Sequence, residues 1–351
     1  MLNRKHAIRW TFALGFVLVA AQPFVAQTIS APERSSLPTS AVAQPADDIA
    51  KARSLADQGH LDAAEASVRA YVATHPNSGH AYFLLGYVLF REIQAKALLD
   101  GRTDQQFQEA HAKAALAEYT EGAKHEKPGA FDLKIVALNY VLLGDYTDAD
   151  KWFTRSLNEN PKDTEGWYYL GRAKYNEQLF EQAGRAFNEC LRLDPENVKA
   201  EDNLGLAYAA QNRYDEAIAA YKKAISWESK SLVRDSGPYA DLGSLLLDQN
   251  RTDEAIRYLS EAAALSPQES RIHAALGKAY SRTSELGKAQ LEMEKAVQLA
   301  PDNASLHYVL GQLYRKLGLT DKAKVEFART AELDGGHSSP ITDLPAENAP
   351  K

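Results

Sequence analysis

Cysteine is almost missing from this chain. Cys190 is the only one among 351 residues, so no internal disulfide can form and stability has to come from packing. No Cys follows the apolar N-terminal run, which excludes lipid attachment there. Also missing are a Gly-x-Ser-x-Gly elbow, a His-Glu-x-x-His pair, a phosphate-cradling Gly-rich loop and a Cys-x-x-Cys, so no catalytic pattern is on offer. The nine His residues are scattered, and His75, His80, His111 and His125 lack ligand spacing, so neither a metal nor a cofactor is expected. Positive charge is in deficit: the formal charge of −7 argues against a nucleic-acid partner, because neutralising phosphates takes a dense basic surface. No segment beyond the N-terminus is apolar enough to span a membrane.

What is present is an ordinary globular composition, 45% hydrophobic and 25% charged, preceded by a targeting pattern. Arg4, Lys5 and Arg9 precede an apolar run from Trp10 to Ala21, and small residues follow around Ala20-Ala21 and Val25-Ala26. A run of about a dozen residues is short of the roughly 20 that cross a bilayer, so residues 1–26 read as a signal peptide, with an uncleaved membrane anchor as the alternative. Its removal would take away three basic residues and no acidic one, leaving an exported chain of formal charge −10, periplasmic or secreted. Residues 27–45, rich in Ser, Ala, Pro and Gln, and the tail 338–351 read as disordered.

Between them a 34-residue period governs residues 46–337. Ala115, Ala149, Ala183 and Ala217 stand 34 apart, as do Ala255, Ala289 and Ala323 after a four-residue slip. Ala64 precedes Ala115 by one period plus 17 residues. Twelve positions before these alanines lies a small residue, as at Ala137, Gly171, Gly205, Gly243, Gly277 and Gly311, with Gly86 displaced by the 17-residue insertion. Twelve positions after, Pro76, Pro161, Pro195, Pro267 and Pro301 end the unit. Apolar residues at helical spacing, such as Trp167, Leu170, Gly171 and then Ala183, Phe187, Cys190, make each unit two amphipathic helices. The small residues let the axes approach, and the Pro turns the chain back to the next unit. One such unit cannot bury its apolar face alone, so neighbours must stack.

This pattern resembles the tetratricopeptide repeat. The resemblance implies an all-α helix-turn-helix solenoid, a right-handed superhelix of about eight units starting near 45, 79, 130, 164, 198, 236, 270 and 304. Polar Asp48 and Lys51 suit an N-terminal cap, and the insertion, with Asp100-Gly101 as its turn, predicts two lengthened helices. A longer connection is expected from Glu228 to Gly237. The last unit has no capping helix after it, which leaves self-association through that end open. His273 and His307 fall where Trp167 sits in its unit and are expected to pack, as is Cys190.

The resemblance also implies that partners bind a concave groove lined by the first helix of each unit. Its lining would be His80, Phe83, Tyr87 and Phe90, then Phe131, Lys134, Leu138 and Val141, then Glu165, Tyr168, Arg172 and Asn176. Further along come Lys199, Asp202, Leu206, Ala240, Ser244, Arg271, Lys278, Ser281, Tyr308, Gln312 and Arg315, with Arg282 and Lys316 beside them. The first half is therefore expected to offer apolar anchors, and the last half a basic surface complementary to acidic groups. The Lys/Asn order with which some relatives grip chaperone tails is not reproduced, since Leu138 and Tyr169 stand where Asn is needed. The expected function is a non-catalytic scaffold of the cell envelope or secreted space that binds a protein or peptide. The alternative is a module binding envelope glycan by stacking sugars on exposed aromatics.

Overall fold

The computed structural model describes residues 45–100, 104–228 and 234–335; the signal, the leader up to residue 44, Gly101 of the expected turn and the tail lie outside them. Among the described residues every regular element is an α-helix, and the helices follow one another in pairs. The pairs are α1 (Pro45–Asp57) with α2 (Leu61–Thr74), α3 (Gly79–Asp100) with α4 (Gln105–Gly122), and α5 (Ala130–Leu142) with α6 (Tyr146–Glu159). They continue as α7 (Thr164–Asn176) with α8 (Phe180–Leu193), α9 (Val198–Ala210) with α10 (Tyr214–Glu228), and α11 (Gly237–Asp248) with α12 (Thr252–Leu265). The last are α13 (Ser270–Arg282) with α14 (Leu286–Leu299), and α15 (Ala304–Lys316) with α16 (Thr320–Leu333). The chain forms two compact units, one up to Glu159 and one from Asn160, a division that the repeat period alone does not show.

Steric complementarity holds each pair. A Cβ on Gly171 would lie 2.5 Å from the Phe187 ring, and one on Gly205 2.6 Å from the Tyr221 ring, so these helices meet only because a side chain is missing. Phe187 and Tyr221 are fully buried beside Ala183 and Ala217, and burying a ring such as Phe187 is worth about 2 kcal/mol. Helix starts are fixed by side chains. Asp163 accepts from the Gly166 N–H at 3.0 Å, Asn197 from the Ala200 N–H at 2.9 Å and Asn303 from the Ser305 N–H at 3.1 Å. Each satisfies a backbone donor that a first turn would otherwise leave open.

The turn inside a pair passes through one left-handed residue, at Gly144, Gln178, Asn212, Asn250, Ser284 and Gly318 in successive pairs, with φ between 60° and 76°. The insertion is taken up as helix: α3 has 22 residues and α4 has 18, against 13 and 14 in α5 and α6. After α10 the longer connection ends with Pro238 in the first turn of α11, where its missing N–H costs nothing. Trp167 donates its Nε1–H to the Pro161 carbonyl at 2.9 Å. His273 and His307 occupy the matching place, buried, each bonded to a carbonyl and to a Glu.

Within the unit from Asn160, first helices lie beside first helices: α7 meets α9, α9 meets α11, and α11 meets α13. Lys316 extends the row by donating from Nζ to the Ser281 carbonyl at 2.9 Å, joining the ends of α15 and α13. This row forms one face, and it carries most of the polar side chains of interest.

Candidate functional site

In the unit up to Glu159, the expected apolar anchors are packing residues. Phe83 and Phe90 are each 3% exposed, Leu138 5% and Tyr87 8%, so these side chains pack mainly against the protein itself. The physical reason is cover from neighbouring helices. Phe83 stacks on Tyr119 of α4 at 5.8 Å and fills the space that Gly122 leaves open. Tyr87 is tied by its hydroxyl, which donates to Asp57 at 3.1 Å and accepts from Arg91 at 2.9 Å. The Arg53 guanidinium covers what remains, 4.3 Å from the Tyr87 ring centre and 4.8 Å from that of Phe131. Lys134 is half-buried on the same row.

The other expected site residues belong to the unit from Asn160. Tyr168 is half-buried, with its ring 6.2 Å from Phe187 and the Arg172 guanidinium 5.8 Å from its centre. Burial pushes its hydroxyl above the usual phenol range, so it stays protonated.

Towards the C-terminal end the face is cationic. Among the described first helices, α13 and α15 alone contain no acidic residue, while between them they carry Arg271, Lys278, Arg282, Arg315 and Lys316. Some of these charges are already engaged. Arg282 donates to the Leu247 carbonyl and Lys316 to that of Ser281, each stitching its helix to the end of the preceding first helix. Arg271 donates to Asp241 Oδ1 at 2.8 Å. Lys278, Arg315 and Tyr308 remain exposed, Tyr308 by 42% with its ring 5.8 Å from Phe327. Lys278 on α13 and Arg315 in the last turn of α15 are thus cations facing water.

At the middle of the row the chemistry reverses. Asp202 on α9 is 8% exposed, and among the described residues its Oδ1 has no hydrogen-bond partner. Asp241 of α11, Asp235 of the preceding connection and Glu228 act on it as like charges, against the opposing charge of Arg271 among the described residues. Burial, then these neighbours, push the Asp202 carboxyl well above the usual carboxylate range. Burial also raises Asp241, less far because Arg271 holds it. Sequence reasoning placed Asp202 on this face but not its chemistry. The available signal was an acid at the fifth place of a unit where Phe83, Tyr168, Ala240 and Tyr308 stand elsewhere.

At Cys190 the thiol is buried and pushed up to about 12 by burial first and Asp194 second, so it has no nucleophilic role. Among the described residues no group of three or more His, Cys, Asp or Glu is arranged to hold a metal, and no helix is long and apolar enough to cross a membrane. On α16 only Ala323 is fully buried, and Val325 is exposed.

Comparison with known proteins agrees with the geometry. The family model for the tetratricopeptide repeat matches residues 49–130, 137–198, 170–231, 240–291 and 275–338. The peroxisomal targeting signal receptor of Komagataella phaffii is 27% identical over 219 residues, 55% of this chain and 37% of that protein. The TPR repeat-containing protein YpiA of Bacillus subtilis is 25% identical over 184 residues, 50% of this chain and 42% of that one. The chain thus spans less than half the length of these curated relatives. Among solved structures, a tetratricopeptide repeat protein from Parabacteroides merdae aligns over 77% of this chain and 98% of its own, with a TM-score of 0.57 and 21% identity, a likeness of fold.

Proposed function

Since the chain belongs to the tetratricopeptide repeat family, we propose that it is a non-catalytic scaffold that holds a segment of a partner protein along the first-helix face of the unit from Asn160. The segment carries acidic groups that Lys278 and Arg315 attract, with Tyr308 as an aromatic contact and Tyr168 with Arg172 at the other end of the row. The observation carrying this reading is the pair of acid-free helices α13 and α15 in a protein of net negative charge. A focused cationic surface on an acidic protein steers anionic partners and repels unrelated acidic ones. The targeting receptor among the relatives bears a name in keeping with segment recognition. The N-terminal charge and apolar pattern supports export of this scaffold to the periplasm or beyond.

Selection of a displayed peptide library on the full-length protein tests the reading. Enrichment of Asp- and Glu-bearing sequences that is lost on Lys278→Glu with Arg315→Glu supports it. Absence of any enrichment, together with co-sedimentation of the protein with purified peptidoglycan, would replace it by the glycan-binding alternative.

A further inference from the structure

The cationic end of the face explains an acidic group in the partner but leaves Asp202 without a purpose. A buried carboxylate oxygen with no donor is expensive, because desolvation is not repaid by a hydrogen bond or a counter-charge. Here the cost is compounded by Asp235, Asp241 and Glu228, against which Arg271 is the opposing charge among the described residues. Arg271 is itself committed to Asp241 at 2.8 Å and to Glu269 at 3.7 Å. Gly237 puts no side chain over Asp202, and a Cβ there would lie 3.6 Å from Asp202 Oδ2. Asp202 sits at the place on its first helix that Tyr168 and Tyr308 hold on theirs, so it belongs to the same row.

We propose that Asp202 receives the protonated lysine or arginine side chain of the same bound segment, so that the partner presents a basic residue at α9 and an acidic one at α13 and α15. The inference rests on the reading that this face binds a segment, and it fixes that segment's charge order. It also sets a spacing. Packed helices lie about 8–10 Å apart, so two steps from α9 through α11 to α13 cover about 20 Å. An extended chain advances about 3.3 Å per residue, which places the basic and acidic residues about six positions apart. Charge complementarity identifies the occupant: an acid with a buried oxygen that has no hydrogen-bond partner among the described residues here, and exposed bases two helices further on.

The test uses peptides selected on the full-length protein. Enriched sequences should pair Lys or Arg with Asp or Glu at a separation of about six. In the tightest of them, replacing that basic residue by norleucine should weaken binding to the wild-type protein about tenfold. Asp202→Asn should bind the lysine and norleucine peptides equally, with circular dichroism showing that the variant is folded. The wild-type comparison alone decides the matter if Asp202→Asn does not fold. Acidic peptides selected without a basic residue, or a norleucine peptide that binds as well as its parent, would overturn the inference while leaving the segment-binding reading in place. In that case Asp202 simply holds a proton. No peptide selected at all would remove the reading and the inference together.

Discussion

Trp167 donates its indole Nε1–H to the carbonyl oxygen of Pro161 at 2.9 Å, and two later pairs reproduce this bond with a different ring. Nε2 of His273 lies 3.1 Å from the Pro267 carbonyl and Nε2 of His307 lies 2.9 Å from that of Pro301. The histidines add a bond that tryptophan cannot make, from Nδ1 to Glu292 and Glu326 at 2.6 Å each. Trp167→Phe should therefore cost about 1 kcal/mol, one hydrogen bond with its carbonyl left to water. His273→Phe should cost about 2 kcal/mol, because Glu292 loses its partner as well. Urea denaturation of the full chain checks the order of the two.

Ser284 holds a left-handed backbone, φ 64°, at the turn where Gly144 and Gly318 stand in other pairs. Such a conformation costs a residue with a Cβ roughly 1 kcal/mol that glycine avoids. Ser284→Gly should raise the thermal midpoint by a few degrees. A lower midpoint would show that the greater freedom of glycine in the unfolded chain outweighs the relief.

Glu92 on α3 is pushed up to about 7, first by burial, then by Glu65 and Asp62, with Arg69 opposing. Its Oε1 is buried with no hydrogen-bond partner among the described residues, while Oε2 lies 3.5 Å from His111 Nε2. A carboxyl raised in the folded state contributes stability fully below the unfolded value near 4.5, and that contribution is lost as pH rises through about 7. Glu92→Gln should then melt at a higher temperature than the wild type at pH 8 and at the same temperature at pH 4. Melts followed by circular dichroism at the two pH values read this directly, and a variant less stable at pH 8 would contradict it.

Cys190 should be silent to thiol reagents in the native protein at pH 8, since its thiol is buried and ionises only near 12. Ellman's reagent should react with one thiol per chain after unfolding in urea and with almost none before.

The architecture was legible because its signal is periodic and steric. A small residue such as Gly171 and a ring such as Phe187 recur at fixed places, since the helices cannot approach otherwise. Helix starts were legible from the same period, reinforced by caps such as Asp163 and Asn197. The face was only partly legible, for a physical reason. Places three or four apart on a first helix share a face, so the side packed on the partner helix and the open side adjoin, and an aromatic suits both. Phe83 and Tyr87 therefore read as open-side anchors until α4 and Arg53 are seen to cover them. Of the charged side chains, Lys278 and Arg315 are exposed, while Arg282 is taken up by the Leu247 carbonyl. The orphaned Asp202 oxygen depends on Asp235, Asp241 and Arg271 converging from three other segments, which no linear spacing reveals.

Calorimetric titration of one selected acidic peptide tests the segment-binding face most directly, with the wild-type chain and the Lys278→Glu, Arg315→Glu variant compared at low and physiological salt. The expected result is a dissociation constant at least about tenfold weaker for the variant at low salt, with the gap narrowing as salt screens the exposed charges. Equal affinities for the two proteins, or a gap that ignores salt, would contradict it.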